Sequence, residues 1–164
     1  MIRPVVRIPE RVLKVRSEEI GAESVDDVVK DLLETMRGSP ACVGLAAPQI
    51  AIPKRVIAVD VESHPKSTAA HGLIVLKNPV IVDASGREVG REGCMSVPDL
   101  TANVARATSL VVTGETPEGE TKVIATEGFE ARALQHEIDH LNGLLILDRV
   151  ESLATDVFRR KVYR

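Results

Sequence analysis

Aromatic residues are almost absent from this sequence of 164 residues, which contains two Phe, one Tyr and no Trp. The hydrophobic fraction of 44% is nevertheless ordinary for a globular protein. We therefore expect a core built from Val, Ile, Leu and Ala. The length suits a single domain over residues 1–164 with room for such a core.

Three further absences narrow the class of protein. A net charge of −3 leaves no general basic surface for DNA. No run approaches the ~20 apolar residues of a membrane span, and the first residues lack the apolar region of a secretory signal. We therefore expect a cytoplasmic protein with no membrane partner. Two cysteines are too few for a disulfide framework, and in a reducing compartment they are available to a metal.

The sequence does contain a metal-binding pattern, His-Glu-x-x-His, within residues 135–140. On a helix, His136 and His140 project from one face about one turn apart and can hold one ion. Glu137 flanks that face and can reach a bound water without being a ligand. A helix predicted from Phe129 to Asn142 carries two non-polar stripes, which indicates burial on two sides. Two buried histidines at this spacing favour a shared metal.

The pattern alone does not fix the third protein ligand. The longer motif that ends in a third histidine is excluded, because its last position is Ile146. A glutamate from a following helix would be Glu151. Cys94 is the strongest candidate, because Gly93 beside it permits close approach of the backbone. The other upstream candidates are Cys42, His64 and His71, although we expect the two histidines to lie in a solvated loop.

Three ordered segments resemble the motifs of the peptide deformylase family. Those motifs are Gly-x-Gly-Leu-Ala-Ala-x-Gln, Glu-Gly-Cys-x-Ser and Gln-His-Glu-x-Asp-His. The corresponding segments here are residues 42–49, 92–96 and 135–140, and the resemblance covers most of the chain. Two departures are Cys42, where glycine is usual, and the lack of an arginine between Cys94 and Arg106.

The resemblance implies a hydrolase that removes the formyl group from the N-terminal formyl-methionine of newly made polypeptides. Its cofactor would be one divalent metal ion, Fe(2+) in the cell, with Zn(2+) or Ni(2+) possible. The metal ligands would be Cys94, His136 and His140. Glu137 would carry protons, while the Gln49 side chain and the Met95 backbone N–H would stabilise the oxyanion.

The partner implied is an N-formyl-methionyl nascent peptide. A peptide can add to a sheet edge as an extra strand, and Gly44 and residues 88–93 could offer such edges. Val43 and Phe129 could line a methionine pocket. Two other functions remain open, namely an amidohydrolase acting on another N-acyl amine and a non-catalytic, metal-holding scaffold that docks at the ribosome.

Gln135 and Asp139 are candidates to orient the metal-binding imidazoles, since such rings commonly donate their second N–H to a carboxylate or carbonyl. For Asp139 a pair with a basic residue such as Arg106 is the alternative. The sequence does not decide between these partners.

The predicted fold class is α+β, with mainly antiparallel sheets packed around a central metal-binding helix. An N-terminal helix is predicted over Ser24 to Arg37, with Ser24 as its N-cap, and a short C-terminal helix over Glu151 to Arg164. Strands are predicted over residues 55–61, 73–76, 80–82, 110–113 and 122–125. The C-terminal helix would end in a solvated basic group or in a weak ribosome contact, through Arg159, Arg160, Lys161 and Arg164.

Overall fold

The computed structural model of the chain describes residues 1–68 and 70–161. Its helices are α1 (Asp26–Arg37), α2 (Gly128–Leu141) and α3 (Ile146–Arg149). Its strands are β1 (Gly44–Ala46), β2 (Val56–Val59), β3 (Ile74–Ser85), β4 (Glu88–Cys94), β5 (Val97–Arg106), β6 (Ser109–Glu115), β7 (Thr121–Glu127) and β8 (Val157–Arg159). Short 3-10 turns cover Arg11–Lys14 and Ala47–Ile50.

The strands form two antiparallel sheets, one in the order β1-β2-β3-β6-β7 and one in the order β4-β5-β8. Helix α2 lies between them. Its apolar stripe, which includes Leu134 and Ile138, packs on the five-stranded sheet in one buried cluster. Its polar side reaches β4 and β5 through ion pairs with Glu92 and Arg106. The predicted α+β class, with mainly antiparallel sheets packed around a central helix, is confirmed.

Aliphatic side chains fill the core, as the shortage of aromatic residues predicted. All four residues of β2 are buried, and β6 alternates buried and half-buried positions as expected for a strand with one face on the core. Helix α1 places Leu32 and Met36 in a second cluster beneath β1 and β2. Val25 rather than Ser24 is its N-cap residue, although the Ser24 hydroxyl accepts a hydrogen bond from the Asp26 N–H at 3.3 Å.

The prediction of a helix from Glu151 is wrong for residues 151–161. Asp156 closes a turn there, because its carboxylate accepts the Ser152 N–H and its carbonyl accepts the Asn103 N–H. The chain then continues as β8, which pairs with residues 100–102 of β5. Residues 162–164, the rest of the predicted helix, lie outside the described residues.

The strands predicted over 73–76 and 80–82 are one strand, β3, which continues through an irregular register after Lys77. Asn78 has a positive φ of 49° at that point. Its side-chain amide accepts the Ile20 N–H and donates to the Ile20 carbonyl, both at 2.8 Å. This pair of hydrogen bonds holds the N-terminal arm against the sheet and accommodates the unusual backbone.

Within residues 1–68 and 70–161, no helix combines the length and the apolar character needed to cross a bilayer.

Candidate metal centre

The three expected ligands meet between the two sheets. Cys94 is the last residue of β4, while His136 and His140 lie on α2. One ligand atom from each residue lies within 4.8 Å of the others, and Cys94 Sγ is 3.3 Å from His140 Nε2. Around a tetrahedral metal with bonds of about 2.0–2.3 Å, neighbouring S and N ligands lie roughly 3.5 Å apart. The arrangement therefore fits one metal ion.

The electrostatics of the centre also favour a bound cation. Burial lowers the pKa of His140 well below its usual value, so the ring is neutral and able to bind a metal. Burial opposes a positive charge on His136 as well, but Glu137, Cys94 and Glu92 outweigh this effect and raise its pKa. The same negative groups that favour a proton on His136 favour a metal ion in its place.

Glu137 stands beside this cluster with one oxygen uncommitted. Its side chain is 4% exposed, and burial raises its pKa to about 7. The Oε1 atom has no hydrogen-bond partner among the described residues. A Cβ on Gly44 would lie 2.7 Å from Glu137 Oε2, so only glycine fits at position 44. Strand β1 can thus approach the carboxylate closely.

Glu92 orients the first histidine, a role that the sequence analysis did not assign. Its Oε1 lies 2.9 Å from His136 Nδ1, which leaves Nε2 for a metal. Arg106 donates to both oxygens of Glu92 at 2.9 and 3.0 Å, and Arg132 donates at 2.7 Å. Although burial raises the pKa of Glu92, the hydrogen bonds from His136 and Arg106 hold it well below its usual value. Glu92 therefore remains an anion.

Asp139 pairs with arginines, which decides between the two alternatives for this residue. Its Oδ2 accepts hydrogen bonds from Arg106 Nη1 at 2.5 Å and Arg149 Nε at 2.9 Å, and its Oδ1 accepts one from Arg149 Nη2 at 2.7 Å. Gln135 forms hydrogen bonds with the backbone N–H and carbonyl of Ala107 at 3.0 and 2.9 Å. Asp139 thus connects α2 to β5 and α3, and Gln135 connects α2 to the residue that follows β5. Within the described residues, neither side chain forms a hydrogen bond with an imidazole.

Gln49 is buried at 2% exposure in the 3-10 turn after β1. Its Oε1 accepts the Ala46 N–H at 3.0 Å, which fixes the direction of the amide. Its Nε2 donates to Ser96 Oγ at 3.2 Å and lies 3.6 Å from Cys94 Sγ. Met95 follows Cys94 in the turn between β4 and β5, and Gln49 and Met95 both line one cavity. Both expected oxyanion donors thus lie beside the ligand cluster.

A cavity of about 350 Å³ opens next to the metal centre, and Val43, Gly44 and Phe129 contribute to its wall. The His64 ring stacks on Phe129 with centroids 4.3 Å apart. The prediction that His64 is solvated is therefore wrong, because the loop that carries it folds back over α2. Sequence spacing could not reveal this contact between distant segments.

The remaining candidates for a third ligand lie elsewhere. His71 Nδ1 is 2.5 Å from Glu130 Oε1, but 44% of the His71 side chain is exposed, so this histidine is solvated as predicted. The Glu151 side chain is 79% exposed and pairs with Arg87. Neither belongs to the cluster formed by Cys94 and the two histidines of α2.

Cys42 lies in the cavity wall as a free thiol. Its Sγ donates to the Gly44 carbonyl at 3.2 Å, and burial raises its pKa to about 11. The neighbouring Ala41, and not Cys42, takes the positive φ, at 61°. A small side chain is therefore accommodated at this departure from the motif that the sequence resembles.

One residue of the expected basic end lies at the site. Arg160 Nη2 is 3.3 Å from the Cys94 carbonyl oxygen, and a Cβ on Gly93 would lie 2.5 Å from the same nitrogen. The nearest atom of another residue to that Cβ position is Thr101 Cγ2 at 3.7 Å. The prediction of a solvated helix terminus is wrong for Arg160, because β8 brings it against β4 and β5.

Comparison with known proteins agrees with this geometry. A family model described as polypeptide deformylase matches residues 2–156. A peptide deformylase of Dictyoglomus thermophilum is 40% identical over 160 residues, which cover 95% of this chain and 99% of that protein. One from Desulforudis audaxviator is 42% identical over 161 residues, with 96% of each chain covered.

Solved structures give the same result. A class I type b peptide deformylase from Acinetobacter baumannii with bound Met-Ala-Ser superimposes with a TM-score of 0.84 at 35% identity, covering 92% of this chain and 99% of that one. A peptide deformylase from Legionella pneumophila has a TM-score of 0.83, with coverage of 93% and 88%. The chain therefore belongs to the polypeptide deformylase family.

Proposed function

We propose that this protein hydrolyses the formyl amide of N-formyl-methionyl nascent peptides and releases formate and a free amine. The observation that carries the proposal is the convergence of a cysteine sulfur, two imidazoles, a buried carboxylate and an amide N–H beside one cavity. Membership of the deformylase family supports the same reaction. The alternatives, another N-acyl amine substrate or a non-catalytic scaffold, have no comparable support.

Cys94, His136 and His140 would hold the metal. A divalent ion bound there polarises a carbonyl oxygen and lowers the pKa of water, so that a nucleophile forms near neutral pH. One thiolate and two neutral imidazoles accept Fe(2+), Zn(2+) and Ni(2+). We propose Fe(2+) as the metal in the cell.

Glu137 would carry the proton. Its pKa of about 7 lets the carboxylate accept a proton from water and return it at neutral pH. The free Oε1 atom can accept that hydrogen bond, while Oε2 faces β1 at Gly44. The proton would go to the amine that leaves when the C–N bond of the formamide breaks.

Gln49 and Met95 would stabilise the negative charge that develops on the formyl oxygen. The Gln49 Oε1 atom is held by the Ala46 N–H, so Nε2 remains directed at the cluster. The Met95 N–H belongs to the turn that directly follows the ligand Cys94. Donors fixed before the reaction need no reorganisation as charge develops.

The peptide backbone would add to the edge of β1. The Val43 carbonyl accepts the Asp60 N–H at 2.8 Å. Because hydrogen-bonded positions alternate along an antiparallel pair, the N–H and carbonyl of the next residue, Gly44, point away from β2. The Ala46 N–H points away from β2 in the same manner, toward Gln49. Gly44 thus offers its backbone groups to an added strand. Val43 and Phe129 would line the methionine pocket.

The location and the wider partners follow from the proposed substrate. An enzyme acting on nascent peptides works in the cytoplasm, close to ribosomes. Arg159 and Lys161 remain exposed on the surface next to β8 and could give a weak, salt-dependent contact with ribosomal RNA.

A comparison of formyl-Met-Ala-Ser with acetyl-Met-Ala-Ser tests the reaction. We expect metal-loaded protein to release formate from the first peptide and to leave the second intact. The acetyl group carries a methyl group where the formyl group has a hydrogen, and we expect this methyl group to clash with Gly44 and Gln49. Comparable hydrolysis of both peptides would indicate a general amidohydrolase. Hydrolysis of neither, with one metal bound per chain, would indicate a scaffold.

A further inference from the structure

We propose that Arg160, assisted by Arg91, makes this enzyme prefer peptides that carry a carboxylate on one of the two residues after the formyl-methionine. The inference rests on the proposed deformylase function and concerns the choice among its substrates. Both arginines line the cavity that contains Gly44, Cys94 and Glu137.

Arg160 lies in the wall of this cavity, next to Cys94. Strand β8 holds it through its backbone N–H, which donates to the Asp99 carbonyl at 2.9 Å. One guanidinium nitrogen contacts the carbonyl oxygens of Cys94 and Leu100 at 3.3 and 3.5 Å. These are two long contacts from a group with five N–H donors, so donors remain for a ligand.

Arg91 lies in the same cavity wall and is held by residues of β5 and β8. Its Nε donates to Asn103 Oδ1 at 3.1 Å, and its guanidinium carbon lies 3.6 Å from the centroid of the Phe158 ring. An Nη atom lies 3.5 Å from Thr101 Oγ1. The stacking on Phe158 orders a side chain that is otherwise exposed, without neutralising its charge.

The charges around the cavity are not balanced. Within the described part of the chain, no carboxylate forms an ion pair with Arg160, Arg91 or Lys66, which also lines the cavity. Glu92 is already neutralised by Arg106 and Arg132. A cationic wall in a chain with a net charge of −3 favours an anionic ligand.

Geometry limits where the carboxylate can be. The contact between Arg160 and the Cys94 carbonyl places the guanidinium next to a ligand residue. An extended peptide advances about 3.3–3.6 Å per residue, so the first two residues after methionine lie within about 10 Å of the formyl group. The planar fork of arginine matches a carboxylate at this distance better than lysine does.

Two matched pairs of peptides test the inference, formyl-Met-Asp-Ala-amide against its Asn counterpart and formyl-Met-Ala-Asp-amide against its Asn counterpart. We expect a KM for one Asp peptide roughly three- to tenfold below that of its Asn partner at low salt, with equal kcat.

Arg160→Gln should remove most of this difference in KM, and Arg91→Gln should remove part of it. Arg160→Lys should retain some of it. Arg159→Gln is the matched control, because it changes an exposed arginine next to Arg160 on β8 and should leave the difference intact.

The binding affinity of the deformylated products gives a second readout that does not depend on turnover. The products are Met-Asp-Ala-amide, Met-Asn-Ala-amide, Met-Ala-Asp-amide and Met-Ala-Asn-amide. An Asp preference in binding, lost in Arg160→Gln, supports the inference even if no formate is released, an outcome that would refute only the proposed function. Equal KM and Kd values for Asp and Asn peptides in the parent protein would overturn the inference. So would Arg160→Gln raising KM equally for all four peptides, since that pattern indicates a structural role.

Discussion

At the residue scale, the centre depends on carboxylates that are buried in different electrostatic surroundings. Glu92 accepts hydrogen bonds from His136, Arg106 and Arg132, and its pKa is lowered. Glu137 Oε1 has no hydrogen-bond partner within the described residues, and burial outweighs the nearby His136 and Arg106 and raises the pKa of Glu137 to about 7. The first carboxylate is therefore a fixed anion that orients a ligand, whereas the second can exchange a proton at neutral pH.

Glu137→Gln separates proton transfer from metal binding. The amide has nearly the same size as the carboxylate, so it fits against Gly44 and leaves the three ligands in place. We expect one metal per chain, an unchanged fold and a turnover lower by about 10²–10⁴-fold. Metal analysis, circular dichroism and formate release measure these quantities. Turnover at the parent rate would show that another group carries the proton.

Sequence spacing could predict the ligands and Glu137, because two of the ligands are neighbours on one helix. It could not assign Glu92 to His136, since that contact depends on how β4 packs against α2. The position of Arg160 depends in the same way on the pairing of β8 with β5. The partners of Asp139 likewise depend on how β5 and α3 pack beside α2.

At the element scale, helix α2 ends where the chain must turn sharply. Asn142 caps α2, and Gly143 follows with a φ of 76°. A Cβ at Gly143 would lie 2.7 Å from the Lys14 carbonyl oxygen of the N-terminal arm. Glycine is thus required at position 143 for two reasons, its left-handed backbone and its close packing.

We expect Gly143→Ala to destabilise the protein by about 2–4 kcal/mol, since it adds both backbone strain and a clash with Lys14. Gly119→Ala is the control, because Gly119 also has a positive φ, 92°, but no atom lies within 4 Å of its Cβ position. It should cost only about 1–2 kcal/mol. Urea unfolding at one fixed metal concentration measures both variants. Equal losses would mean that packing against Lys14 contributes nothing.

The elements that the sequence predicted well have a clear local period, as in α1, α2 and the β6–β7 hairpin. Strands β4 and β5 were missed, because β4 is rich in charged residues and glycine and owes its structure to pairing with β5. The last segment was predicted as a helix, whereas the turn at Asp156 and pairing with β5 make it a strand. In both cases long-range pairing overrides local preference.

At the scale of the whole molecule, a buried network of charges connects the small sheet to the helices. Arg106 on β5 joins Glu92 on β4 to Asp139 on α2, and Arg149 on α3 joins the same aspartate. The side chains of Arg106, Glu92 and Asp139 are each less than 10% exposed. The network thus joins α2, which carries the two histidines, to β4, which ends at Cys94. That residues 1–164 form a single domain remains a prediction.

Arg106→Met tests this network. The substitution leaves the buried Glu92 without its bidentate partner, and removing one partner of a buried ion pair typically costs about 3–5 kcal/mol. We expect a loss of that size in urea unfolding together with weaker metal binding, because Glu92 no longer holds His136 firmly. Arg87→Met is the control, since it breaks an exposed pair with Glu151 and should change stability by less than about 1 kcal/mol. A loss in Arg106→Met no larger than in the control would contradict the structural role of the network.

The most direct test of the whole account is an anaerobic titration of metal-free protein with Fe(2+), with formate release from a formyl-methionyl peptide measured at each addition. We predict that the rate of formate release by the parent protein rises in proportion to the added metal and stops rising at one equivalent per chain. In Cys94→Ala the rate should stay at the baseline, because this variant should not bind the metal ion. Formate release by metal-free protein, or one equivalent of metal retained by Cys94→Ala, would contradict the assignment of a single metal centre at Cys94, His136 and His140.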